Sequence, residues 1–573
     1  MKNQELSEIF YEIANYLEMN DISFRPYAYK KAASVLGLLE DDVEKIYLKK
    51  GIRGLEEIQG VGKNIALLIK EYLEKNEIRY YKQLKKKIPV DIKTLMKVEG
   101  VGPKTIKTLY QELKIKNLKD LEKAAVSHKI APLFNFDKKT EENILESIQF
   151  LKESKGKFFL GDILSEAKDI EQKIKLISGV KKVSIAGSLR RMKESIGDVD
   201  FLIVSKMPEK VISFFNSLSG RAKIIGEGKT KISIKMKNGY NIDVRIVPLE
   251  SYGSALQYFT GSKEHNILLR KKAIKKGLKI NEYGIFKKDK KIGGATEEEI
   301  YNLVGVSWVP PELREGRGEI EKYAQNELNK LPQLISVNDI KGDLHCHSIW
   351  SGGENTIEEM ANEAIKMDYN YIGIADHTQF LKIENGLDEK ELSEQRKEID
   401  KLNSSFEKQG RKFKILQGCE ANILKDGSLD IKDNALEKLD FVITGIHSHF
   451  KMSGSEITER IIKAMEKPQV DIISHPTGRI LGKRKEYEID FERILKVAKE
   501  TNTILEINAC PQRLDLNDIN IYRAKEYGVK MVINTDSHHK NQMKFMEFGV
   551  SQARRGWAEK KDIINANDNL LFR

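Results

Sequence analysis

Two aspartates two residues apart open the question of chemistry. Asp198 and Asp200 lie in GSLRRMKESIGDVDFLIV, where DVDFLIV has the alternation of a strand. Residues i and i+2 of a strand share a face, so both carboxylates point the same way. Adjacent carboxylates repel unless a divalent cation lies between them. Asp243, in NIDVRIV, can add a third carboxylate from a neighbouring strand. Such a set can hold two Mg²⁺ ions around an attacking 3′-hydroxyl and a triphosphate. Gly187-Ser188, just upstream, offers backbone N–H groups to the triphosphate, and Arg191 adds positive charge.

A second constellation is rich in histidine. Eight of the ten histidines fall between His345 and His539. His345 and His347 form an H-x-H pair with one shared face on a strand. His377, Glu420, His447, His475, and Asp536 with His538 follow at the ends of further β-like segments. Active sites of βα barrels form at the C-terminal ends of their strands. A rim carrying this many ligand-type side chains suits metal-activated hydrolysis of a phosphoester. Nitrogen-rich ligation favours Mn²⁺ or Zn²⁺ over Mg²⁺.

The third feature is a short repeat. IQGVGKNIALLI (58–69) and VEGVGPKTIKTLY (98–110) both read apolar-x-Gly-Val-Gly and then a helix. Glycines Gly60, Gly62, Gly100 and Gly102 let the chain turn tightly, and the helix behind each presents free N–H groups to a phosphate. Lys63 and Lys104 add charge beside each turn. They resemble the helix-hairpin-helix motif that grips DNA backbone without reading bases. Charge agrees: residues 1–340 hold 62 Lys+Arg against 47 Asp+Glu, whereas 341–573 hold 36 against 39. A polyanion would be held by the first part.

The elements that must position these groups follow from patterning. Residues 1–155 have helical periodicity. From about Val183 short strands alternate with helices, and Asn238-Gly239 predicts a type I′ hairpin between KISIKM and NIDVRIV. The stretch 308–340, with Pro310-Pro311 and Pro332, reads as a connection. Beyond it, YIGIADH, FKILQGCE, FVITGIH, VDIISH, TILEIN and KMVINTDSH alternate with helical stretches, which predicts a parallel sheet closed or nearly closed into a barrel. No apolar run approaches membrane-spanning length, and MKNQELSEIF lacks the apolar core of a secretory signal. Three unpaired cysteines, Cys346, Cys419 and Cys510, argue for a reducing cytosol.

Residues 1–310 resemble the family X DNA polymerases, through Gly187-Ser188, Arg191, Asp198-x-Asp200, Asp243-x-Arg245, YFTGSKEHNILLR (258–270) and GLKINEYGIF (277–286). The resemblance implies that Asp198, Asp200 and Asp243 bind the metals and that Asp243 helps deprotonate the primer. Ser188 and Arg191 would bind the triphosphate, with Gly187 and Gly261 shaping the nucleotide site. Tyr258 and Phe259 would lie against the sugar, Asn266 would touch the base and Arg270 the template, and a cis peptide would follow Gly261. Residues 339–573 resemble the PHP phosphoesterases, which the bacterial and archaeal branch of family X carries at this position. That resemblance implies one metal on His345, His347, Glu420 and Asp536, a second on Glu420, His447 and His475, and a third on His377 and His538. Asp343 and Asp376 would orient ligand histidines; His449 and His539 would be neighbours. The fold class implied is multidomain: a helical DNA-binding region, an α+β nucleotidyltransferase palm, and a C-terminal α/β distorted βα barrel. The boundaries are a lyase-like domain at 1–85, a second hairpin subdomain at 86–155, the palm at 156–250, a nucleotide-selecting subdomain at 251–315, a linker at 316–338 and the PHP domain at 339–573.

Departures from the family pattern matter. Leu68 stands where the animal enzyme has its lyase lysine, and leucine cannot form a Schiff base; Lys31, Lys63 and Lys70 lie nearby in sequence or pocket. Lys263 replaces an acidic residue. Ser351-Gly352-Gly353 replaces a common Ser-Asp-Gly, so the third PHP metal should be held weakly beside two firm ones, unless Glu354 substitutes. The expected function is gap filling in base excision repair by a cytoplasmic, nucleoid-associated monomer using gapped or nicked double-stranded DNA and dNTPs, with no membrane partner. The PHP domain would process 3′ ends as an exonuclease, abasic-site endonuclease or 3′-phosphatase. The alternatives are an untemplated nucleotidyltransferase, and a DNA-binding scaffold carrying a small-molecule phosphatase.

Overall fold

The computed structural model describes residues 2–22, 24–39, 41–58, 60–153, 157–324 and 331–567. The chain forms two compact units, residues 1–155 with 482–484, and residues 156–481 with 485–573.

The first unit is helical. Leu6, Phe10, Ile13, Ala14 and Leu17 recur at three- and four-residue spacing along helix Lys2–Met19, and all are fully buried. At both glycine turns the first glycine is left-handed, Gly60 at φ 82° and Gly100 at φ 77°. The second, Gly62 or Gly102, is the extended N-cap of helix Lys63–Lys75 or Pro103–Leu113. Both helices therefore begin with N–H groups that no side chain caps.

In the second unit a five-stranded sheet has the order Val180–Ile185, Asp198–Ser205, Asn241–Ile246, Lys231–Met236, Arg221–Gly228. Asp198–Ser205 runs parallel to Asn241–Ile246, and its other neighbour is antiparallel. Val199, Phe201 and Ile203 are buried beneath this sheet, while Asp198 and Asp200 face the other way. The turn between Lys231–Met236 and Asn241–Ile246 is not the predicted type I′. Of Asn238 and Gly239 only Gly239 has positive φ (102°), and Met236 pairs with Tyr240 across a three-residue loop. A left-handed glycine closing such a loop is the next commonest hairpin solution.

A small antiparallel sheet, Leu278–Asn281, Gly284–Lys287 and Lys290–Gly293, follows with helices Tyr252–Thr260, Lys263–Lys275 and Glu297–Leu303. The stretch 308–340, expected as a connection, is packed over its first part. Leu313, Ile320 and Tyr323 join the core of this subdomain, and Glu319 is fully buried against His265, with 2.7 Å between Oε1 and Nδ1. A lone chain of prolines and glycines suggested a linker, but the apolar residues between them found a core. Residues 325–330 of that stretch lie outside the described residues.

The C-terminal part is a ring of parallel strands. Gly342–Cys346, Tyr371–Ile374 and Lys414–Gln417 pair in order, as do Glu420–Asn422, Ile443–Gly445, Ile472–Ile473, Ile504–Asn508 and Met531–Asn534. Bridges His377–Glu420 and Cys346–Ser537 join the two sets at both sides. Lys414–Gln417 and Glu420–Asn422 are thus two halves of one bent strand, and the ring closes as expected. This barrel packs directly on the five-stranded sheet: Leu514 and Phe548 sit in that sheet's core, and Arg479 bonds Glu194 at 2.7 Å. A Cβ on Gly161 would lie 2.3 Å from Pro511, so only glycine allows this approach. No described helix is long and apolar enough to cross a membrane.

Candidate active sites

Strand register assembles the carboxylates. Asp200 is directly opposite Asp243, and Asp198 is opposite Asn241. Ser233, opposite Asp243 on the next strand, donates its hydroxyl to that carboxylate. Burial, then the charges of Asp198 and Asp243, push the Asp200 carboxyl up to about 7; the Asp198 carboxyl is raised by burial and Asp243. Two raised carboxyls with a third carboxylate directly opposite fit a site for divalent cations. Gly187, at φ 63°, closes against them: a Cβ there would fall 2.1 Å from Asp200 Oδ2. Ser188 lies in the same short turn, Gly187–Arg190, and the Arg191 guanidinium donates to Glu315 at 3.0 Å and to the carbonyl of Thr260.

Thr260 ends helix Tyr252–Thr260, and the peptide Gly261–Ser262 is cis, as the resemblance implied. Tyr258 and Phe259 are half-buried and meet edge to face at 5.2 Å, and Arg245 lies over the Phe259 ring. Asn266 is held in place by Gln257 at 2.6 Å and by the Tyr258 carbonyl at 2.8 Å. Arg270 and Lys263 are exposed on the same helix. In the helical unit, Lys63 and Lys104 are exposed at the first turns of their helices. Leu68 packs into that unit's apolar cluster, and the Lys31 side chain lies over Gly60.

In the barrel, all eight ligand-type residues converge. Glu420 is the hub: Oε1 lies 3.0 Å from His475 Nε2 and 3.2 Å from His447 Nε2, and Oε2 lies 3.0 Å from His377 Nδ1 and 3.3 Å from His345 Nε2. Asp536 Oδ1 lies 3.3 Å from His347 Nε2. Burial raises the Glu420 carboxyl, but the imidazoles of His447, His345 and His377 outweigh it and hold it well below the usual carboxylate range. Nitrogens of His345, His347, His377 and His447 are buried without a hydrogen-bond partner. Buried polar atoms without partners are costly, and a bound cation would satisfy them. Among the described residues, three overlapping groups could hold a metal: His345, His347 and Asp536; His377, Glu420 and His447; and His347, His377 and His538. The third group thus gains His347, which the resemblance placed with the first metal alone. His475 and Asp536 have positive φ, 28° and 55°, backbone strain of the kind that gathers at functional sites.

Sequence comparisons give the family. Families described as Helix-hairpin-helix domain (residues 1–78), SAM-like Helix-hairpin-helix tandem (52–114 and 92–149), DNA polymerase beta thumb (255–315) and PHP domain (343–510) match the chain. The "DNA polymerase/3′-5′ exonuclease PolX" of Bacillus subtilis is 38% identical over 99% of this chain and 98% of its own length. The chain belongs to the family X DNA polymerases that carry a PHP domain. "Probable phosphatase" proteins of Caldicellulosiruptor saccharolyticus and Caldicellulosiruptor bescii are each 33% identical over 35% of this chain and 80% of their own lengths.

Some residues of this family X polymerase were not anticipated. Asp343 was expected to orient a ligand histidine, but it accepts from Thr535 and from the His345 backbone N–H. Glu506 takes that place, 2.7 Å from His345 Nδ1. A glutamate inside the apolar run TILEIN was the available signal. Asp376 accepts from Ser348 and Gln395 and lies 4.0 Å from His347 Nδ1. Arg513 places Nε 3.5 Å from Asp536, and its Nη1 is buried without a hydrogen-bond partner. Glu384 would meet a Cβ on Gly352 at 2.8 Å, whereas Glu354 donates its backbone N–H to the His538 carbonyl.

Proposed function

We propose that this polymerase fills short gaps in DNA from a template during base excision repair, and that its PHP barrel removes or repairs 3′ ends. The observation that supports synthesis most directly is the triad of carboxylates on parallel strands beside Gly187 and Arg191. Two Mg²⁺ ions, when bound there, would neutralise the triphosphate and the developing alkoxide. Asp243 would accept the primer hydroxyl's proton, with Ser233 holding its carboxylate in place. Ser188 and Arg191 would hold the phosphates, Tyr258 and Phe259 the sugar face, Asn266 the base edge and Arg270 the template. The two glycine turns with Lys63 and Lys104 would grip the backbone of gapped or nicked duplex. In the barrel, the eight ligand residues would hold Mn²⁺ or Zn²⁺ for phosphoester hydrolysis, two ions firmly and a third weakly. Arg513 would meet the phosphate. The protein would work as a monomer in the cytoplasm, on the nucleoid, with the domain division set out above.

The test is one gapped duplex incubated with Mg²⁺ or Mn²⁺, with and without nucleotides. Templated extension is expected with nucleotides, and 3′ shortening without them. Asp198→Ala and Asp200→Ala should abolish extension while hydrolysis persists. Near-normal synthesis by both variants would refute the palm assignment.

A further inference from the structure

Arg191 is gripped from the hydrolase side. The barrel's helix Met546–Arg555 ends at Arg555, which is nearly fully buried. Its Nη1 donates to the backbone carbonyl of Arg191 at 2.8 Å and lies 3.2 Å from Glu315 Oε1. Its Nη2 donates to Asp518, a barrel residue, at 2.7 Å. Glu315 therefore has three cations around it: Arg191 Nε at 3.0 Å, Arg555, and Lys193 Nζ at 3.4 Å. Burial raises the Glu315 carboxyl, but Arg555, Arg191 and Lys193 outweigh it and hold it down at about 2. The carboxylate is ionised and shared.

Consider what this does to the Arg191 guanidinium. Its Nε is fixed by Glu315 and its Nη1 by the Thr260 carbonyl; among the described residues Nη2 makes no hydrogen bond. Two edges of a rigid planar fork are thus satisfied, and the third is left to an incoming anion. Four cations, Arg191, Lys193, Arg317 and Arg555, face the two carboxylates Glu315 and Asp518, and that excess of positive charge around a largely buried Arg191 favours a polyphosphate. Without Arg555, Glu315 would have only Arg191 and Lys193 to neutralise it. It would bind Arg191 more tightly, and the main chain of Arg191 would lose its anchor.

We infer that Arg555, a residue of the PHP barrel, is a positioning residue for DNA synthesis: through Glu315 and the Arg191 carbonyl it sets the guanidinium that receives the nucleoside triphosphate. The inference rests on the reading above that Arg191 meets the triphosphate. Arg555 makes contacts that simple docking of the two parts does not require. Its chain neighbour Arg554 docks the same helix through Glu312 at 2.7 Å and the Ile335 carbonyl at 3.0 Å without reaching Arg191.

The experiment measures single-nucleotide insertion into a gapped duplex by full-length Arg555→Met, Arg555→Lys, Arg554→Met and Arg191→Ala, with hydrolysis of single-stranded DNA as the internal control. Arg555→Met should raise the dNTP KM about tenfold, as when a charge-assisted contact is loosened, with kcat within about threefold and hydrolysis unchanged. Arg555→Lys keeps the charge without the fork and should fall between; it carries the test if the methionine variant does not fold. Arg554→Met should leave KM within about twofold, since it touches docking alone. Equal KM increases in Arg554→Met and Arg555→Met would mean docking only, and an unchanged KM in Arg555→Met or, failing it, Arg555→Lys would overturn the inference. An unchanged KM in Arg191→Ala would instead defeat the reading of Arg191, and the inference with it. A raised KM in Arg191→Ala without one in the Arg555 variants would defeat the inference alone.

Discussion

Gly187→Ala is the sharpest perturbation that the palm offers. Gly187 is buried at φ 63°, and the new methyl carbon would fall 2.1 Å from Asp200 Oδ2 and 3.1 Å from Asp200 Cγ. The left-handed backbone costs alanine roughly 1 kcal/mol, which a unit this size tolerates. The clash is the larger effect. The Asp200 carboxylate must retreat by about 1 Å, and misplacing a reacting group by that much costs on the order of 10²-fold in rate. Asp200 cannot retreat freely, since its strand is paired on both sides, to Val180–Ile185 and to Asn241–Ile246. We therefore expect single-turnover insertion to fall at least about 10²-fold, which is close to 3 kcal/mol of transition-state stabilisation. Hydrolysis by the barrel in the same preparation should be unchanged. Combining Gly187→Ala with Asp200→Asn should add little to the loss from Asp200→Asn alone, because both act through one carboxylate. Insertion within about tenfold of the parent protein would refute the reasoning.

Four further outcomes are expected. Glu506→Gln removes the charge on His345 Nδ1 and should weaken barrel metal binding about 10- to 100-fold in chelator competition, leaving extension intact. Borohydride trapping on an incised abasic substrate should be faint, because Leu68 is packed in an apolar cluster where a nucleophile would be needed; efficient trapping lost in Lys31→Ala or Lys63→Ala would show a relocated lysine. Dialysed protein should retain two metal equivalents firmly and a third weakly, and Glu384→Ala, which removes the acid nearest Gly352, should lower the weak one further; three equivalents retained in that variant would contradict this. Glu315 stays ionised down to about 2, so its contribution is fully present above the usual carboxylate pKa and is lost as pH falls from about 4.5 to 2; Glu315→Gln should flatten the melting-temperature profile over that window, by about 3 kcal/mol at most.

The chemistry was legible in the sequence because it is written in short-range patterns. Asp198-x-Asp200 on a strand, H-x-H on another and Gly-x-Gly before a helix each fix side-chain direction within three residues. Strand ends rich in His, Glu and Asp announced the rim of a barrel before any strand was paired. The glycine turns appeared with the left-handed first glycine that their spacing asks for. What the sequence could not rank was which polar residue meets which. Glu506 reaches His345 across 161 positions, and Arg555 reaches Arg191 across 364. Asp343, two residues from His345, was the nearer candidate by sequence and the wrong one, because its side chain is taken by Thr535. The segment after Pro311 looked like a linker, but its Leu313, Ile320 and Tyr323 are buried in a core. Local propensity sets the direction in which a side chain leaves the backbone; the partner at the other end is decided by how strands register and how the barrel docks on the palm, since burying a charge is tolerable only where a distant segment brings the counter-charge to it.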